Sequence, residues 1–426
     1  MTLMANPRKI AVSALLKIEK DGAYSNLAIG EFLKSDELTQ KDKSFISALV
    51  YGVLDRKITI DYVLSLFLKT PVKKTAPYTL QVLRTALYQI LYMDKVPNSA
   101  AVDEAVKLIK KSKESRNSGF VNGVLRSVLR QEISLPQGND VKSLSVRYSC
   151  PEWIIESFIK DYGIDDTIGL LDESLKAPPV TVRVNTVLTD IDTVRENLKE
   201  NGISFSDGIC ENSLIIQGGI DVAGNELYKK GWFYVQDSAS QKAVSILAPE
   251  PNCRVLDLCA APGGKSFTMA QLMENKGEIV ACDLHSHRTE LITKSAKRLG
   301  LNIIKTLVQD ATVYNENLRD FDYILCDVPC SGLGVLRRKP DIKYSKNSDL
   351  SELEEVQYKI LCNAVKYLKN GGKILYSTCT LRKAENENII NRFLQEYKNF
   401  NLVRDENFMP HKSFTDGFYC ALIEMK

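Results

Sequence analysis

The sequence predicts an α/β protein. Its last segment forms a doubly wound parallel sheet, preceded by an all-α region and a small α+β unit. Three observations carry that expectation. From residue 236 onward, short apolar runs alternate with helical patterns, as βαβ units require. Two of those runs end in a cysteine among turn residues: Cys330 in YILCDVPCSGLG (323–334) and Cys379 in KILYSTCTL (373–381). Upstream, residues 1–130 show helical spacing throughout.

In chain order, Ile10, Ala14, Leu15 and Ile18 open the helical region. The start, MTLMANPRKIAVSALLKIEK, has charges on both sides of a short apolar stretch and no A-x-A-like cleavage site, so it reads as a helix and not a signal peptide. KLIKKSKESRNSG (107–119) is basic and ends in turn residues. FVNGVLRSVLR (120–130) is expected to bury Phe120, Val121, Val124, Leu125, Val128 and Leu129, with Arg126 and Arg130 on the other face. SLPQGND (134–140) is a linker by composition and closes a first domain, 1–140. Residues 141–235 read as a small α+β linking unit. It holds a short helix after Cys150-Pro151, a strand at VTVRVN (180–185) and a helix at VRENLKENG (194–202). In the third domain, 236–426, strands are expected at 253–260, 277–283, 303–310, 321–327 and 371–378. Helices are expected at 264–274, 286–299, 352–369 and 385–397, and GFYCALIEMK (417–426) as an antiparallel edge strand. Such a sheet is Rossmann-like, with ligands beyond the carboxyl ends of its strands.

Composition narrows the class. At 44% apolar and 26% charged, with no apolar run near the roughly 20 residues of a membrane span, the chain reads as a cytoplasmic protein. Ten cysteines without a C-x-x-C pair, and three histidines, point to reduced thiols and no metal site. Residues 1–150 carry 23 Lys/Arg against 14 Asp/Glu, whereas the remainder is net acidic. A basic first third suits an anionic partner, and equally a solvated helical surface.

DLCAAPGGKS (257–266) ends one strand and opens a helix. Gly263 and Gly264 admit close backbone approach, and the helix N-terminus favours an anion. The segment misses the G-x-x-x-x-G-K-[ST] phosphate loop by one residue, Cys259, so a P-loop NTPase is a competing reading that a nucleotide-turnover assay separates. Asp283 and Asp310 end the next two strands, placed for ribose hydroxyls and an adenine amino group. An acidic edge welcomes a cationic sulfonium and repels a triphosphate. Beyond it, two thiols with Asp327 beside one of them suit methylation at carbon 5 of a pyrimidine, which needs a thiolate nucleophile, an acid and a base. The remaining cysteines Cys253, Cys282, Cys326, Cys362 and Cys420 read as small buried apolar residues.

DLCAAPGGK, ACD, QDA, CDVPCSG and YSTCT occur in the order and spacing of the RNA cytosine-C5 methyltransferases, which the chain resembles. Within that family it looks like the bacterial small-subunit rRNA enzymes of the Sun/Fmu (RsmB) type. LRTALYQILYMDKVP (83–97) and GFVNGVLR (119–126) resemble the NusB-like RNA-binding extension of those enzymes, and QDSASQ (236–241) also fits. The resemblance implies S-adenosyl-L-methionine as cofactor and a single-stranded or flipped cytosine of rRNA as substrate, with a monomer expected. It makes Cys379 the nucleophile and Cys330 the residue assisting proton removal and product release. Asp327 would contact the base, and Cys259, Ala260, Ala261, Pro262, Gly263, Gly264, Lys265, Asp283, Asp310 and Asp327 would line the cofactor site. Lys265 and Arg288 are possible cations near the thiols. A tRNA-directed enzyme of the same chemistry, uracil methylation and a non-catalytic antitermination protein remain open.

Overall fold

The computed structural model describes residues 6–21, 25–35, 37–218, 221–344 and 350–426. Residues 1–5 of the expected first helix lie outside them. The chain divides into two compact units, Met1–Lys176 with Leu336–Ser348, and Ala177–Val335 with Asp349–Lys426.

The first unit is helical, as its spacing predicts. Helices run Pro7–Asp21, Ser25–Leu33, Gln40–Asp55, Lys57–Phe67, Pro77–Tyr92, Asn98–Lys110 and Ser118–Leu129. Local chemistry sets their ends. Thr39 and Asp42 form a reciprocal capping box on Gln40–Asp55, and Pro77 occupies a first-turn position where its missing N–H costs nothing. Ser118–Leu129 buries Val121, Val124, Leu125 and Val128. Phe120 and Leu129, expected in the core, are 45% and 40% exposed. At 100° per residue they sit about a quarter turn to either side of the stripe made by the other four. Arg84, 4% exposed, donates Nε and an Nη to the two oxygens of Asp61, both at 2.7 Å, and its other Nη to Glu19 at 3.0 Å.

Helices Val141–Tyr148 and Glu152–Ser174 also fall in this unit. The second is longer than the short helix expected after Pro151, and it breaks at Gly163, whose φ of +80° is not helical. A later piece of chain completes the unit. Lys343, wholly buried in the short turn Pro340–Tyr344, donates to Asp55 Oδ1 at 2.8 Å.

The second unit holds two sheets. The strands are β1 (Val180–Val184), β2 (Phe205–Asp207), β3 (Ser213–Ile216), β4 (Phe233–Val235), β5 (Arg254–Asp257), β6 (Glu278–Asp283), β7 (Ile304–Val308), β8 (Phe321–Asp327), β9 (Leu368–Thr378), β10 (Phe400–Phe408) and β11 (Phe418–Met425). The first four form an antiparallel sheet, β2-β3-β1-β4, and the rest a seven-stranded sheet, β10-β11-β9-β8-β5-β6-β7. From β9 to β7 the pairing is parallel. Helices Gly264–Leu272, Ser286–Arg298, Ser351–Ala364 and Glu387–Glu396 follow β5, β6, β8 and β9 in sequence, close to the ranges expected. The chain builds outward from β5 through β6 to β7, then returns to lay β8 on the other side, so the switch point lies between β5 and β8.

β11 is not the edge. It runs antiparallel between β9 and β10, and β10 takes the edge. Only Phe400 and Phe408 of β10 are buried, while Asn401–Asp405 are exposed, so β10 carries no apolar alternation to read.

Replacing Arg84 with Ala leaves two carboxylates facing a void. The expected loss is on the order of 3 kcal/mol in the unfolding of the helical unit, measured by chemical denaturation of the full chain. A change under a third of that would mean that Asp61 and Glu19 rehydrate without cost.

Candidate active site

The switch point collects the sequence-predicted residues on one sheet edge. β5 ends at Asp257 and turns through Cys259, Ala260, Ala261, Pro262 and Gly263 into the helix that starts at Gly264. The Ala261-Pro262 bond is cis. Gly263 has φ +106°, and a Cβ there would lie 2.3 Å from the Phe267 ring, so only glycine fits. Gly264 has no such demand; its nearest neighbour would be Gln236 at 3.6 Å. Asp257 is wholly buried and accepts from Ser266 Oγ at 2.5 Å, while its Oδ1 has no partner among the described residues. Burial pushes its carboxyl up to about 7, against the opposing hydrogen bond from Ser266. Cys259 is pushed well above the thiol range by burial, then by Cys326, Asp257, Asp327 and Asp283 around it.

Asp283, 3% exposed at the end of β6, accepts from the His285 backbone at 3.2 Å and pairs with Arg288 at 3.3 Å. Arg288 is therefore engaged at the Asp283 side. Asp310 is exposed and accepts from Thr312 N at 2.8 Å and Thr312 Oγ1 at 2.7 Å, as a turn cap does.

Lys265 reaches away from the turn. Its Nζ donates to Asp327 Oδ2 at 2.8 Å, and Ser377 Oγ donates to Asp327 Oδ1 at 2.8 Å. The helix after β5 is thus tied to β8, and β8 to β9, beside the switch point. Burial disfavours the Lys265 ammonium, but Asp327 and, next, the charge of Cys379 outweigh it and raise its affinity for the proton. A phosphate-loop lysine would keep its ammonium for phosphate; this one is committed to a carboxylate and lies beside a thiol. That counts against the NTPase reading.

The two loops carrying the cysteines meet beyond β8 and β9. Cys330 Sγ and Cys379 Sγ are 3.2 Å apart, and the Cys379 backbone N–H donates to Cys330 Sγ at 3.3 Å. Both residues are half-buried and all ten cysteines are unbridged thiols. The hydrogen bond with Cys379 comes first among the causes that push the Cys330 thiol well above its usual range, followed by burial, the Cys379 charge and the Glu385 charge. Of the five cysteines expected in the core, Cys282, Cys326 and Cys420 are buried, and Cys253 and Cys362 are half-buried. The Gly334 backbone donates to Cys379 O at 3.0 Å and accepts from Gly417 N at 2.8 Å. A Cβ on Gly334 would lie 2.0 Å from Gly417 O, so the start of β11 presses directly on the Cys330 loop.

Sequence reasoning missed the support under this pair. Glu385, in AENEN (384–388), was absorbed into a helix; it is fully buried and accepts from Ser331, Gln357 and Arg382. Asn386, also fully buried, bonds the Thr378 hydroxyl and the Thr380 carbonyl on either side of Cys379. The available signal was a polar run placed directly after the cysteine loop, where a solvated helix start and a buried hydrogen-bond hub look alike.

Known proteins resemble the chain over nearly its whole length. Residues 244–424 match the family described as 16S rRNA methyltransferase RsmB/F, residues 5–130 the NusB family, and residues 150–223 the RsmF/B-like ferredoxin-like domain. The chain is 38% identical to the probable ribosomal RNA small subunit methyltransferase B of Bacillus subtilis (strain 168), covering 98% of each. It is 33% identical to the like-named protein of Synechocystis sp., covering 98% of this chain and 99% of that one. The crystal structure of PH0851 superposes with a TM-score of 0.83 at 27% identity, covering all of both chains.

A carboxyl raised to about 7 in the folded state binds a proton that the unfolded chain releases near pH 4. Its contribution to stability is fully present below about pH 4 and is lost as pH rises through about 7. Asp257→Asn should therefore gain in melting temperature over the parent as pH goes from about 5 to about 8. Calorimetry showing parallel pH profiles for the two would contradict the raised value.

Proposed function

The chain belongs to the RsmB/F family of small-subunit ribosomal RNA methyltransferases, and on that premise we propose that it methylates carbon 5 of a cytosine in small-subunit (16S) rRNA through a covalent bond from Cys379 to carbon 6. The observation that carries this reading is the 3.2 Å approach of Cys330 Sγ to Cys379 Sγ beside the Lys265–Asp327 pair.

The family is S-adenosyl-L-methionine-dependent, and that molecule, when bound, supplies an electrophilic methyl group on a cationic sulfonium. The residues fit such a group: a glycine turn next to Asp257, Asp283 and Asp327, with one buried oxygen of Asp257 unpartnered, suits a cation. Cys259 to Lys265, Asp283 and Asp310 are the proposed holders.

The Cys379 thiolate adds to carbon 6, and the electron pair of the ring moves to carbon 5, which is then nucleophilic enough to take the methyl group. Lys265 nearby favours that thiolate. Asp327 assists by contact with N3 and the exocyclic amine. Once Cys379 is bonded to carbon, it neither accepts a hydrogen bond from Cys330 nor repels its charge. Cys330 then ionises more readily, takes the proton from carbon 5, and the Cys379–carbon bond breaks to restore the thiolate and the aromatic ring. A target base reaches this edge only when single-stranded or flipped out.

On the same basis, residues 1–140 are proposed to grip RNA, 141–235 to link and contact it, and 236–426 to perform the chemistry, in the cytoplasm. Lys107, Lys110, Lys111, Lys113, Arg116, Arg126 and Arg130 are all exposed, which supports phosphate contact along residues 107–130.

Cys379→Ala should abolish methyl transfer and leave no RNA-linked band on a denaturing gel, whereas Cys330→Ala should accumulate such a band; the reverse pattern would exchange the two roles. In the full chain, Lys110→Glu with Lys111→Glu should weaken rRNA binding about tenfold at low salt and flatten its salt dependence. Unchanged affinity in a filter-binding titration would remove this stretch from the RNA surface.

A further inference from the structure

We infer that Glu385 is the positioning residue that holds the two cysteine loops in register and gives the two sulfurs unequal roles, an inference that rests on the reading of Cys379 as nucleophile. Each cysteine is followed by a hydroxyl residue, and the two hydroxyls, Ser331 Oγ and Thr380 Oγ1, are 2.8 Å apart. Glu385 lies under that contact. Its Oε1 accepts from Ser331 Oγ at 2.6 Å and Arg382 at 3.1 Å, and its Oε2 from Ser331 N at 2.8 Å and Gln357 Nε2 at 2.9 Å. Gln357 also donates to Pro329 O at 2.9 Å, so the Cys330 loop is gripped on both sides of the sulfur. The Glu385 carbonyl accepts from Tyr376 on β9 at 2.6 Å, which fixes the carboxylate relative to the strand that delivers Cys379.

Four donors on one fully buried carboxylate offset the cost of burying its charge and hold it rigidly in place. Here it acts on a choice between neighbours. The groups facing the sulfur pair are Glu385 and Tyr376 on the Cys330 side, and Lys265 with its partner Asp327 near Cys379. Arg382, paired with Glu385 at 3.1 Å, is shared with Glu354 at 3.2 Å. The Glu385 carboxylate therefore stands beside Cys330, and the Lys265–Asp327 ion pair beside Cys379. Cys330 keeps its proton while Cys379 is the anion, and after Cys379 bonds to the base the same carboxylate makes Cys330 the stronger base.

The test is thiol alkylation by iodoacetamide on the full-length protein, resolved by peptide and measured across pH without RNA. In the parent, Cys379 should react faster than Cys330 near neutral pH. Glu385→Gln should raise the Cys330 rate about tenfold and narrow that preference. An unchanged Cys330 rate in Glu385→Gln protein with a cooperative melt overturns the inference. If that variant does not fold, Glu385→Asp decides, because it retains the charge and shortens the reach. It should keep Cys379 the faster thiol while lowering kcat for methyl transfer with little change in KM for RNA, and loss of the preference with the charge intact overturns the inference. A parent protein in which Cys330 reacts faster overturns the nucleophile reading itself, which separates the two failures.

Discussion

The parallel pairing of β8 with β9 is the constraint from which the site follows. In that register Asp327 stands opposite Ser377, so the loops that leave the two strands start level and on the same side. Parallel strands must both exit at the carboxyl edge, and a thiol three residues past Asp327 and another two past Ser377 arrive within contact distance. A slip of one residue would turn every side chain of β9 to the opposite face and separate the sulfurs. The Gly334–Gly417 contact reinforces the same register, because β11 pairs with β9 and begins where the Cys330 loop ends.

Charged groups are spread along the whole of this edge. On the glycine-turn side stand Asp257, Asp283 and Asp327, in surroundings that suit a cation. Lys265 lies in the middle, bound to Asp327 and next to Cys379. Glu385 closes the far side, beneath Cys330. Lys265, paired with Asp327, and Glu385 thus flank the two sulfurs where a methyl cation equivalent, a thiolate and a proton are proposed to be handled in turn.

Much of this is legible in the sequence alone. Strand–helix alternation located the sheet, because buried parallel strands are nearly continuous apolar runs bounded by turns, and β5, β6, β8 and β9 are of that kind. The cysteine motifs were readable because turn residues follow each strand. For β10 and Glu385 what escaped had a shared cause: the determining partner is distant in sequence. β10 is a strand because β11 offers it a ladder, although its own residues are charged and exposed. Phe120 and Leu129 are apolar yet flank the buried stripe of their helix. Glu385 is buried because Ser331 and Gln357 reach it from elements 54 and 28 residues away, and nothing within AENEN announces that.

The passage of Leu336–Ser348 into the helical unit has an architectural consequence. A fused domain that met its neighbour at a single covalent junction could be gained or lost in evolution by one recombination event. Here a stretch starting six residues after Cys330 belongs to the helical unit, and within it Lys343 meets Asp55. The helical unit is therefore discontinuous in sequence. Excising the amino-terminal portion would strand a wholly buried lysine whose carboxylate partner, Asp55, had gone.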